Sequence, residues 1–235
     1  MTSTLERPGV TVERRVWWRR PWVAPLGFVI VVFLVHSWTP YIGLDPASAR
    51  VPATTGYHYP ALVAHIGFGT VAMVTGFLQV WPWFRRRYPA AHRVTGRVYV
   101  FAGVLPASVA GLVVGLNTPF GPAAAVSHVM LAALWFGTTL TGWIRGRQGR
   151  YGEHREWMVR SVTLTMSTIT NRAWAPLAAI VLMPFAETTF HGDELAFLFT
   201  IGAISSWLGW TVPLIVVEWW LGKPRRARMA ASTRR

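Results

Sequence analysis

Six apolar stretches, each about as long as a bilayer is thick, alternate in this chain with short links, and nearly all the positive charge sits in every second link. A hydrocarbon core of about 30 Å takes roughly 20 residues of α-helix. The stretches fall at about 22–42, 60–83, 95–116, 122–144, 158–184 and 195–221. The expected fold is therefore all-α: an integral membrane six-helix bundle over 22–221, with helices 2–5 forming a four-helix core over 60–184. Two basic tails, 1–21 and 222–235, flank it; the terminal stretches 1–20 and 224–235 are polar with little to bury, and are expected to be disordered.

The charges fix the direction of each helix. Arg7, Arg14, Arg15, Arg19 and Arg20 precede helix 1, and Arg85, Arg86, Arg87, Arg93 and Arg97 join helices 2 and 3. Arg145, Arg147, Arg150, Arg155 and Arg160 join helices 4 and 5, and Lys223, Arg225, Arg226, Arg228, Arg234 and Arg235 follow helix 6. With alternating helices these are 21 of the 23 basic residues, all on one side; Arg50 lies on the other side and Arg172 inside helix 5. The positive-inside rule makes the crowded side cytoplasmic, so both termini are expected inside a cell membrane. One helix more or fewer would scatter the pattern. Trp17, Trp18, Trp22, Trp81, Trp83, Trp219 and Trp220 sit at the helix limits, as interfacial aromatics do.

A net charge of +14 can signal a nucleic-acid partner, but that partner needs basic residues on a soluble face. Here they lie between apolar blocks, so they read as topology signals and as contacts to the anionic headgroups of a lipid bilayer. Residues 1–20 are polar and the first apolar run lacks a small-residue cleavage site, so that run reads as a retained signal anchor. The chain has no cysteine, which removes disulfides and thiolate metal sites. No phosphate loop, GxGxxG, HExxH or GxSxG occurs. The outer links, 44–59, 117–121 and 185–194, are too short to hold a catalytic domain. Acids are scarce within the apolar stretches, which argues against a proton-coupled transporter. Function is left to the bundle interior and its two surfaces.

Histidine is the one soft nitrogen ligand available, and its placement is regular. Residues 64–97 and 127–160 read as an internal tandem repeat: each opens with a small residue and a histidine (His65, His128), passes a Thr-Gly-aromatic triplet at 75–77 or 141–143, and closes on a His-Arg pair (His92-Arg93, His154-Arg155). His65 and His128 both sit roughly 8–9 Å below the outer edge at about 1.5 Å of rise per residue. His92 and His154 both open a helix at the cytoplasmic surface. An imidazole in hydrocarbon normally has a partner. Two histidines at one depth on facing helices suit the two axial positions of a haem iron. His65 with His128, and His92 with His154, are therefore candidate ligands for up to two haems b. Arg93 and Arg155, with Arg97 and Arg160, are candidate partners for haem propionates. Arg172, in mid-helix beside Pro176, must face the bundle to survive there and is a candidate for a propionate, a quinone or a structural carbonyl.

Other readings of the same residues stand beside this one. His36 lies at the outer depth of His65 and His128, so those three could hold a non-haem metal. Alternatively all the histidines only pack, in a cofactor-free transporter or scaffold. His58 and His191 fall in outer links and read as surface residues.

The runs His92-Arg93-x-x-Gly96-Arg97-x-Tyr99 and HREWMVRSVTLT (154–165), with an arginine later in the same helix, resemble a bacterial family of predicted membrane proteins catalogued as a domain of unknown function, number 2306. The resemblance covers about residues 60–175 and implies a multi-helix membrane protein without an established activity. One histidine on each of four successive helices is also distantly similar to the ascorbate-reducible di-haem cytochromes b and ferric reductases. That similarity implies six helices, haems held by helices 2–5, and transmembrane electron transfer between a donor and an acceptor, a transmembrane oxidoreductase at most. His92 and His154 lie closer to the membrane surface than that pattern has them.

Overall fold

The computed structural model describes the backbone of residues 20–232 and the side chains of residues 20–223. The expected disorder of residues 1–19 and 233–235 lies outside the described residues. Among these residues all the regular structure is helical, with no strand. The helices are α1 (Val23–Trp38), α2 (His58–Val80), α3 (Pro82–Arg87), α4 (Pro89–Val98), α5 (Leu105–Leu116), α6 (Gly121–Arg147), α7 (Tyr151–Leu182) and α8 (Glu194–Ser232). Helix α8 runs on into the expected tail.

Prolines set several boundaries. Helix α2 ends at Val80 rather than at 83, because the residue before a proline is pushed out of the helical region. Trp81, before Pro82, is extended (φ −73°, ψ 108°), and Tyr88, before Pro89, leaves the helix in the same way (φ −131°, ψ 69°). Between them α3 makes a short basic helix, Pro-Trp-Phe-Arg-Arg-Arg. Pro82 and Pro89 each occupy a first helical position, where the missing N–H is not needed. The helices that carry the third and fifth apolar stretches start ahead of them, at Pro89 and Tyr151, so His92 and His154 each lie in a first turn as expected. Helices α4 and α5 form one rod through a π-helical stretch, Tyr99–Val104. Pro106 lies just beyond it, and the wider turn accommodates a ring that would otherwise strike the carbonyl four residues back.

Five helical segments are long and apolar enough to cross a membrane: Val23–Tyr41, His58–Val80, Pro89–Leu116, Gly121–Arg147 and Glu194–Lys223. Helix α7 has the length, 32 residues or about 48 Å at 1.5 Å per residue. It lacks the apolarity, because Ser161, Thr163, Thr165, Ser167, Thr168, Thr170, Asn171 and Arg172 interrupt it. Several of these are spent inside the protein: Ser161, Thr165 and Ser167 are buried.

Helix α2 packs along the α4–α5 rod, the rod on α6, α6 on α7, and α7 returns to touch α2. The four make a closed ring in which α2 faces α6 across one diagonal and the rod faces α7 across the other. Ala72, Tyr99, Val100, Val104, Ala107, Trp135, Val162, Leu164 and Trp210 form the apolar core. The α2–rod crossing is close because both sides are small: a Cβ on Gly103 would stand 2.9 Å from the Ala72 backbone. Helix α8 lies outside the ring against α7 and α6. Its Trp210 indole donates to Ser127 Oγ at 3.0 Å, and Glu218 pairs with Arg160 of α7. Helix α1 packs on α2, where the Trp38 indole donates to Thr70 Oγ1 at 2.9 Å.

Candidate functional site

The ring carries the four histidines as two pairs. His65 lies seven residues after the first residue of α2, and His128 seven after the first of α6. His92 and His154 each lie three residues after the first residue of α4 and α7. Each pair thus spans one diagonal at matching depth. His65 and His128 are within Coulombic range of each other, as are His92 and His154.

Within each pair the two rings are held differently. His65 Nδ1 donates to the Ala107 carbonyl at 2.9 Å, and its ring lies on Gly111, where a Cβ would come within 2.9 Å of it. His154 repeats the arrangement at the other end: Nδ1 donates to the Gly142 carbonyl at 2.8 Å, and the ring lies on Gly146. In both cases the accepting carbonyl is four residues before the glycine, so the ring spans one helical turn of its neighbour. A histidine that donates from Nδ1 to a carbonyl carries its proton there and leaves the Nε2 lone pair open. The partners differ: Nδ1 of His128 and Nδ1 of His92 are buried without a hydrogen bond. His128 meets Gly115 through its Cβ rather than its ring.

Between the two levels lies a polar cluster that the sequence did not announce. The Tyr99 hydroxyl, on a fully buried side chain, is 2.7 Å from Ser161 Oγ and 2.8 Å from Thr165 Oγ1. The Trp135 indole donates to Thr165 Oγ1 at 2.9 Å, and Thr139 Oγ1 lies 2.6 Å from Ser161 Oγ. This ties the rod, α6 and α7 together at mid-bundle. A signal existed in the spacing: Tyr99 falls two turns after His92, and Ser161 and Thr165 one turn apart.

Other expected site residues are placed otherwise. Arg172 does not face the bundle interior; it is exposed on the flank of α7, within Coulombic range of Tyr41 and Arg50. Arg93 is exposed, Arg155 lies over the Trp220 ring at 5.3 Å, and Arg160 is engaged by Glu218. His36 is exposed and accepts from Arg50 Nη2 at 3.4 Å. Among the described residues no three of His, Asp, Glu or Cys gather as a metal site, so the His36–His65–His128 centre does not form. His58 is not a surface residue: it opens α2 at 1% exposure, with Nδ1 accepting from the Thr54 N–H at 3.1 Å. Thr54 Oγ1 in turn donates to the Asn117 carbonyl at 2.8 Å, stapling two outer links. His191 is exposed as expected.

Residues 62–221 match the model of a family described as predicted membrane protein (DUF2306). The chain belongs to this family. The DUF2306 match begins inside α2 and takes in the rest of the ring and α8 as far as Leu221, with both histidine pairs and the Tyr99 cluster. No curated protein and no solved structure matches the chain. The similarity to di-haem cytochromes b has no counterpart among these findings.

Proposed function

We propose that this DUF2306 member is a six-span transmembrane b-type cytochrome of the cell membrane with both termini cytoplasmic. Helix α7 is the sixth span, its hydroxyls sheltered by the ring and α8. The orientation rests on the 21 basic residues that alternate helices place on one side. His65 with His128 and His92 with His154 would hold the haems, and a haem held by either pair would supply one-electron chemistry.

The observation that carries this reading is the state of the four rings. Two diagonal pairs at matching depth each combine an Nδ1 fixed on a backbone carbonyl with an imidazole whose Nδ1 is buried and unbonded. The donor set suits a haem iron: in His65 and His154 the Nδ1–H is fixed on a carbonyl, which leaves Nε2 for a metal, while His92 and His128 bring imidazoles whose Nδ1 is bound to no other group. The chain's own residues do the rest. Ala107 and Gly142 hold two ligand rings in one orientation. The Tyr99 cluster keeps the space between the levels dry and rigid. Arg93 and Arg155 provide positive charge at the end where His92 and His154 lie. Two open grooves, of about 320 and 190 Å³, flank the bundle between α1 and α2 and between α7 and α8. The His65 ring lies on Gly111 and the His154 ring on Gly146, so a macrocycle between the paired rings would need room beyond this packing.

A second reading is favoured by that same packing: the His65 and His154 rings clamp neighbouring helices in a cofactor-free bundle. One experiment separates the two. Protein expressed with ample haem and purified in detergent should show a dithionite-reduced α-band and one or two haems b per chain by pyridine haemochrome. His65→Ala and His128→Ala should each lose the same haem. A flat visible spectrum, or haem content untouched by both substitutions, would assign the histidines to packing alone.

A further inference from the structure

Two exposed arginines stand at the outer end of the bundle. Arg172 comes from the flank of α7, and Arg50 from the link after the 3₁₀ turn Pro46–Ser48. They lie within Coulombic range of each other, and Tyr41 within range of both. Tyr41 is 4% exposed, and its ring centroid is 6.2 Å from that of Tyr59. The Tyr59 hydroxyl is buried with no hydrogen-bond partner. Arg50 Nη2 donates to His36 Nδ1, so the His36 ring proton lies on Nε2.

No acid stands among the groups that act on Arg172. Asp45 Oδ1 accepts from the Ala47 N–H, and Asp193 Oδ1 from the N–H groups of Leu195 and Ala196. The ion pairs among the described residues join Arg145 and Arg150 to Glu153, and Arg160 to Glu218, all at the opposite end. Two guanidinium groups that repel each other beside apolar helices are a standing cost unless an anion joins them. A guanidinium presents a planar fork of donors that matches two oxygens of a carboxylate or phosphate, and a phenol adds a single donor.

We propose that Arg50 and Arg172, assisted by Tyr59 and His36, bind an oxyanion, a phosphate or carboxylate group, at the outer end of the bundle. The group belongs to a lipid headgroup or to a soluble anion; the chemistry of recognition is the same. This site is independent of the histidine pairs and of any haem.

The test uses the full chain in an uncharged maltoside detergent, with unfolding followed by tryptophan fluorescence. Inorganic phosphate is titrated against chloride at equal ionic strength, and phosphatidylglycerol against phosphatidylcholine in mixed micelles. Wild type and the control Arg147→Gln should gain several degrees in Tm. Arg50→Gln and Arg172→Gln should bind about tenfold or more weakly, the loss of one charge-assisted contact. Tyr59→Phe, which removes one oxygen and leaves both charges, should weaken binding less. A response to phosphate identifies a soluble-anion site; a response to phosphatidylglycerol alone identifies a headgroup site. No response to either, or an undiminished response in Arg50→Gln, Arg172→Gln and Tyr59→Phe, overturns the proposal.

Discussion

Replacing Tyr99 by phenylalanine removes one oxygen from the middle of the bundle, and the cost follows from counting protons. Tyr99, Ser161, Thr165 and Thr139 bring four hydroxyl protons and Trp135 one indole proton. They serve six close contacts: Tyr99 with Ser161 and with Thr165, Trp135 with Thr165, Thr139 with Ser161, Thr139 with the Trp135 carbonyl, and Thr165 with the Ser161 carbonyl. Five protons for six contacts leave one contact shared. Tyr99→Phe deletes two contacts and one proton, so four protons then serve four contacts and nothing is orphaned. The loss is that of two intramembrane hydrogen bonds at about 0.6 kcal/mol each, or about 1 kcal/mol in all. Had a buried group been left unpaired, its desolvation would add about 1–3 kcal/mol. The assay is reversible unfolding in mixed detergent micelles by titration with dodecyl sulfate, followed by tryptophan fluorescence, with the slope compared between variants. A loss near 1 kcal/mol with an unchanged slope supports the count. A loss above about 3 kcal/mol would mean that an orphan is created, and a gain in stability would mean that the hydroxyl is not bonded as described.

Other expectations concern packing and topology. Gly103→Ala places a Cβ 2.9 Å from the Ala72 backbone, which cannot yield as a side chain does; the same titration should show a loss of about 1–3 kcal/mol. Gly137→Ala is its counterpart of opposite sign, since no atom lies within 4 Å of the added carbon and alanine gains up to about 1 kcal/mol in a helix. The chain has no cysteine, so single cysteines can report its orientation. A membrane-impermeant maleimide should label Thr188→Cys in intact cells and Gln148→Cys only after permeabilisation, both positions being exposed; the reverse pattern would invert the proposed topology.

The features legible in the sequence were those set by repeated, local physics. Apolar length marked five spans outright, and the pairing of His65 with His128 and of His92 with His154 followed from counting along helices of known rise. What escaped depends on tertiary neighbours. Helix α7 was expected as a span like the others, yet its own composition falls short, and Ser161 and Thr165 are hidden against α6 and the rod. His58 looked like a link residue because nothing local shows that Thr54 and Asn117 close over it. Arg172 was expected to face inward on the ground of cost, but it is exposed on α7, where the outer link adds a second positive charge, Arg50, and the Tyr41 phenol. Glu218 gave no hint of Arg160, because the two are brought together only by the α7–α8 contact. The pre-proline breaks at Trp81 and Tyr88 were readable in principle; a run of apolar residues concealed the first.

Helix α1 is attached lightly. Ile30 is its one buried residue, Phe28, Val31, Val32 and Val35 are exposed, and the DUF2306 match starts beyond it. Its outward face is selected by lipid and not by complementary side chains, so most of that face answers to solubility in hydrocarbon rather than to shape. Exchanges among valine, leucine, isoleucine and phenylalanine there are close to interchangeable spellings, whereas Trp38, which reaches Thr70, is a fixed word. Apolar exchanges on that outward face should be tolerated where exchanges in the ring are not.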